Sequence, residues 1–318
     1  MTENASRKPT LPAPPLERVP WRAVAVYAAA AVALAWLVAL PLWLGDRAAS
    51  PLFTPIASLM MFTPLVATLA VVFGLRVPRT DRLRFLGIWP LRPAGRTIWF
   101  AVAAVFVPPV LVIVAALLAG ALGLVELDLV GFSGFAETVA ASLAASGVDP
   151  DLVPVQALVI GQLAAIPLGA LVNSFLAFGE EIGWRGWLLP ALRPLGVWPA
   201  LILSGALWGL WHAPLILLGY DFGRTDVTGV LLMIAGCIAW GVLFGWARLR
   251  TGSLWPAVIG HGALNAGGAA VLLFAAAGAD VDLALVGPLG VVSWIVLAVV
   301  VAVLALCGQF RRNVLGPR

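Results

Sequence analysis

The 318-residue chain is 62% hydrophobic and 11% charged, with a mean hydropathy of +1.04, whereas a soluble domain carries roughly 25% charged residues. That balance excludes a soluble enzyme and leaves a polytopic membrane protein. The net charge of +4 reads as topology and attraction to an anionic inner leaflet, and implies no nucleic-acid partner.

In chain order, residues 1–21 are polar and proline-rich without an apolar signal-peptide core, and read as a disordered cytoplasmic tail. Residues 22–156 hold three apolar runs, about 22 to 44, 52 to 74 and 97 to 123, each long enough for the ~30 Å hydrocarbon layer. Pro108 and Pro109 predict a kink in the third. The loop Leu124–Pro154 is acidic and has no Lys or Arg; its Ala-rich centre, Phe135–Ala145, predicts a short interfacial helix. Residues 157–308 hold five more runs, about 157 to 188, 198 to 219, 228 to 247, 254 to 276 and 284 to 307, and residues 309–318 form a basic tail. The expected fold is all-α, with about eight transmembrane helices around a buried polar site.

Apart from Arg47 and Arg224, the Lys and Arg residues fall on one set of segments: the two tails, the stretch Arg76–Arg96, the turn at Arg185 and Arg193, and Arg248 with Arg250. The other loops hold most of the acids. Positive-inside bias then places both termini in the cytoplasm. The high Ala, Gly and Arg content with a single Lys reads as a bacterial chain in the plasma membrane. Cys237 and Cys307 sit in apolar runs without a disulfide or CxxC pattern. Gly205/Gly209 and Gly241/Gly245 have GxxxG spacing and read as close helix packing.

One span breaks the apolar rule, carrying Glu180, Glu181 and Arg185. Ionisable groups at such depth face a cavity or one another and mark function. On an α-helix Glu181 and Arg185 pair at i, i+4, while Glu180 projects about 100° away and is left free. The two histidines of the chain also lie in spans: His212 follows Trp208 by four residues, and His261 precedes Asn265 by four. Rise per residue places Glu180 and His261 about 10–12 Å, and His212 about 21 Å, from the arginine-rich end, so the groups are within reach of one another.

Glu180-Glu181-x-x-x-Arg185, then Trp208-x-x-x-His212, then His261-x-x-x-Asn265, resembles the CPBP (CAAX protease and bacteriocin-processing, or Abi) family, which includes the type II CAAX prenyl endopeptidases. Trp208 stands where that family's second motif usually has Phe, a conservative aromatic change. The resemblance implies an intramembrane endopeptidase, of a family often classed as metalloproteases, with eight helices and a site opening towards the cytoplasm. By that analogy Glu180 is the general base and His212 assists the same water. His261 and Asn265 donate to the oxyanion, and Glu181, Arg185 and Trp208 orient the site or the substrate.

No cofactor is favoured. A Zn2+ site on Glu180, His212 and His261 is the alternative, a permitted ligand set but without HExxH. The expected partners are the lipid bilayer and a membrane-associated protein or peptide substrate, with oligomeric state unassigned. A non-catalytic binding or bacteriocin-immunity protein ranks second, and a transporter third, since no inverted repeat is visible.

Overall fold

A computed structural model describes residues 16–91, 93–147, 149 and 154–315. Residues 1–15 of the expected disordered tail lie outside the described residues, as do Arg7, Lys8, Arg92, Asp151 and Arg318 of the charge argument. Among the described residues the chain is helical, with an isolated antiparallel bridge between Leu127 and Ala275. The main helices are α1 (Trp21–Leu44), α2 (Phe53–Gly74), α3 (Ala94–Ala121), α4 (Ser133–Ala145), α5 (Val155–Leu195), α6 (Val197–Trp211), α7 (Val227–Thr251), α8 (Trp255–Phe274) and α9 (Leu283–Leu306). Seven of them, all but α4 and α6, are long and apolar enough to cross a membrane; α6 is apolar but only 15 residues long. The protein is a multi-pass membrane protein. Its outward faces expose Leu37, Val110, Phe175 and Leu306, which suits a hydrocarbon solvent and would not suit water.

Helix boundaries follow the apolar runs to within a few residues. Pro108 and Pro109 lie inside α3, which continues through them. The Ala-rich loop centre forms α4, starting at Ser133 rather than Phe135. Its approach is tied down by Asp128, whose carboxylate accepts backbone N–H bonds from Val130, Gly131 and Ser133. Those donors hold the Asp128 carboxyl down at about 2.

Two glycine contacts set the core. A Cβ on Gly209 of α6 would fall 2.4 Å from Ile234 Cα of α7, and one on Gly262 of α8 would fall 2.5 Å from the Ala170 carbonyl of α5. Backbone therefore touches backbone at both crossings, as small residues in membrane helices allow. These crossings bring the His-bearing faces of α6 and α8 onto the end of α5, where every residue from Gly179 to Leu189 is buried.

The ends of the bundle differ in charge. At one end arginines cap carbonyls of other elements: Arg248 donates to Phe85 O at 2.8 Å, Arg96 to Arg250 O at 3.3 Å and Arg193 to Leu315 O at 3.0 Å. Arg248, expected in a loop, is buried there. At the other end the acidic loops meet. Phe53 packs on Tyr220 with ring centroids 5.4 Å apart, Asp128 N–H donates to Phe274 O, and Arg224 pairs with Asp282 at 2.9 Å.

Candidate active site

The sequence predicts a plain α-turn through Glu181 and Arg185. The structure instead widens to a π-helix over Ile182–Leu188, a departure common at functional sites. The pair forms across it: Arg185 Nη1 lies 2.6 Å from Glu181 Oε1, at 1% and 0% side-chain exposure. Glu181 does more than balance Arg185, because the same Oε1 accepts from His261 Nδ1 at 3.0 Å. The carboxylate is acceptor-only, so Nδ1 carries the hydrogen.

Glu180, expected to be unpartnered, is 2% exposed and accepts from Trp208 Nε1–H through Oε2 at 2.6 Å. Trp208 is therefore not a conservative stand-in for Phe, which has no donor. Its carbonyl lies 2.9 Å from His212 Nδ1. That carbonyl is available because the helix breaks two residues before Pro214, where His212 N–H donates to Gly209 instead. Bonding at Nδ1 leaves Nε2 of His212 as the acceptor. Trp208 also stacks its face 4.2 Å from Arg185 Cζ and sets its ring centroid 5.2 Å from that of His261 in edge-on geometry. One side chain thus touches all three sequence motifs. The spacing of the motifs gives no signal of this, since the indole donor acts across two helices.

Glu180, Trp208, His212, His261 and Asn265 line one cavity of about 470 Å³, and Asn265 is exposed within it. Glu181 and Arg185 stand behind the wall. Cys237, which the motifs do not single out, also lines the cavity, its Sγ 3.9 Å from His212 Nδ1.

The direction of the cavity departs from expectation. The resemblance implied an opening on the arginine-rich, cytoplasmic side. Beyond the site the wall includes Phe53, Thr54, Tyr220, Asp221, Leu283 and Pro288 at the acidic-loop end, and the described arginine-rich loops contribute none of the lining. His212 sits at the far end of α6, as its count of about 21 Å from the arginine-rich end implies.

The Zn2+ alternative requires Glu180, His212 and His261 to converge. Among the described residues no three His, Cys, Asp or Glu side chains are placed to hold a metal ion. One Glu180 oxygen and both Nδ1 atoms are already engaged by protein groups.

Residues 162–267, which contain every motif residue, match the family described as Type II CAAX prenyl endopeptidase Rce1-like. A protein of Methanococcus maripaludis named CAAX prenyl protease 2 is 30% identical over 92 residues, covering 27% of this chain and 34% of that protein. The match thus spans about a third of the length of that relative. Through the helices that carry Glu180, His212 and His261, the chain is similar to the Rce1-like type II CAAX prenyl endopeptidases.

Proposed function

We propose that this chain is an intramembrane endopeptidase that hydrolyses a peptide bond of a membrane-associated protein or peptide, with Glu180 activating the attacking water. The observation that carries this reading is a carboxylate 2% exposed on the wall of a cavity, faced by two histidines whose Nδ1 atoms are both fixed by the protein. Trp208 holds Glu180 Oε2, leaving Oε1 for the water proton. Nε2 of His212 accepts from the same water and aims its lone pair. Attack on the scissile carbonyl carbon places negative charge on its oxygen. The Asn265 amide donates to that oxygen, and Glu181 fixes the His261 ring through Nδ1. Collapse expels the amine, which takes back the proton held by Glu180. No step requires a metal, and activity is expected to survive chelation.

The chain is placed in a bacterial plasma membrane with both termini cytoplasmic, on the strength of its arginine distribution. A prenylated, CAAX-like substrate is the finer reading that the family name supports. Incubation of detergent-purified protein with a farnesylated CAAX-type peptide, followed by mass spectrometry, tests it: two fragments that together weigh one water more than the peptide are expected. An intact peptide with both prenylated and unprenylated substrates would count against the endopeptidase reading.

A further inference from the structure

Asp221 is a charged wall residue that the motifs leave unused. It is half-buried in the turn after α6, at φ 64°, between Tyr220, which packs on Phe53, and the buried Phe222. It lines the same cavity as Glu180, as does Cys237 beside His212. Among the described residues the cavity lining contains no Lys or Arg. Arg224, the cation nearest in sequence, is engaged by Asp282 at 2.9 Å. The surrounding loops are acidic, with Asp46, Glu126, Asp128 and Asp280 at this end of the bundle.

We infer that the segment entering this cavity carries a basic residue, and that Asp221 at the acidic-loop end is the group that receives it. The inference rests on the peptide-binding reading above and specifies its substrate class. The described wall offers two carboxylates and neither Lys nor Arg. A peptide presenting an acidic side chain at the mouth meets like charge, and one presenting a lysine or arginine meets a partner with reduced hydration. Like charges set together across an interface act against the wrong partner, and opposite charges raise encounter rates. The alternative role for Asp221 is conformational, because Asp and Asn tolerate the left-handed region that most residues avoid. Asn keeps that tolerance and removes the charge, so Asp221→Asn separates the two roles.

The test is equilibrium binding, by fluorescence anisotropy in detergent, of two labelled apolar peptides that differ only in one lysine or glutamate. It uses the full chain with Glu180→Gln, so no bond is cut. The lysine peptide is expected to bind about tenfold more tightly than the glutamate peptide. Asp221→Asn should reduce that ratio to about twofold, and added salt should weaken the lysine peptide alone. Equal affinities, a preference for glutamate, or a ratio unchanged by Asp221→Asn would overturn the inference. If the Asn variant folds poorly, the salt series on the protein with Asp221 intact decides: lysine-peptide affinity that ignores salt would overturn the inference as well. An Asp221-dependent preference in a protein that cleaves nothing would remove the endopeptidase reading and leave this one standing; cleavage without preference would do the reverse.

Discussion

Trp208 concentrates the residue-scale logic of the site. Its indole N–H holds Glu180, its carbonyl holds His212, and its face covers Arg185. Trp208→Phe keeps the ring and the stacking but removes the donor. A hydrogen bond to a charged group contributes about 1.5–3 kcal/mol, so kcat is expected to fall about ten- to a hundredfold with KM little changed. An unchanged kcat would show that Glu180 is positioned without the indole. The EExxxR and HxxxN spacings make Glu180, Glu181, Arg185, His261 and Asn265 readable from the chain. The indole donor and the His261–Glu181 bond are not readable there, because they join residues 28 and 80 positions apart. In the chain Asp221 is one acid among many in the acidic loops. Burial pushes its carboxyl up to about 7, so its charge appears as pH rises through that value. Lysine-peptide binding should therefore strengthen between about pH 6 and about pH 8 by more than it does in Asp221→Asn. The groups facing the same cavity, Glu180, His212, Cys237, His261 and Tyr220, are common to both proteins and cancel in that comparison.

At the scale of elements, glycine crossings and the π segment decide where the motifs meet. Gly209→Ala would drive a Cβ to 2.4 Å from Ile234 Cα, a backbone atom that cannot rotate away. Overpacking of this kind costs about 1–3 kcal/mol and should also displace Trp208, one residue earlier. Gly161→Ala in α5 is the matched control, since nothing lies within 4 Å of its Cβ position; helix propensity predicts a neutral effect or a gain of about 0.5–1 kcal/mol. Thermal unfolding in detergent reads both, and equal midpoints would show that α6 and α7 can part without cost. The eight apolar runs are legible because hydrocarbon demands about 20 apolar residues per span, and α4 is legible from its alanines. The π-turn over Ile182–Leu188 is not, since π and α turns share the same residue preferences and differ only in which carbonyl each N–H reaches.

Across the whole molecule the charges divide the bundle into an arginine-rich end and an acidic end, and the cavity leads to the acidic one. The charge pattern of the chain sorts the loops correctly but does not locate the opening, because cavity direction depends on how α2, α6 and α8 splay. In the orientation proposed from positive-inside bias, the acidic end is extracytoplasmic. In a Cys307→Ser background, Cys237 being buried, a membrane-impermeant maleimide should label Asp280→Cys but not Arg79→Cys in intact cells. The opposite pattern would reverse the orientation and return the cavity to the cytoplasmic side.

In the proposed mechanism Glu180 drives hydrolysis without a metal. The most direct measurement is single-turnover cleavage of a peptide substrate by wild type, Glu180→Gln and His261→Ala, each with and without chelator. Loss of cleavage by about a hundredfold or more in Glu180→Gln is predicted, with the wild-type rate untouched by chelator. A wild-type rate abolished by chelator and restored by Zn2+, or full activity in Glu180→Gln, would contradict that mechanism.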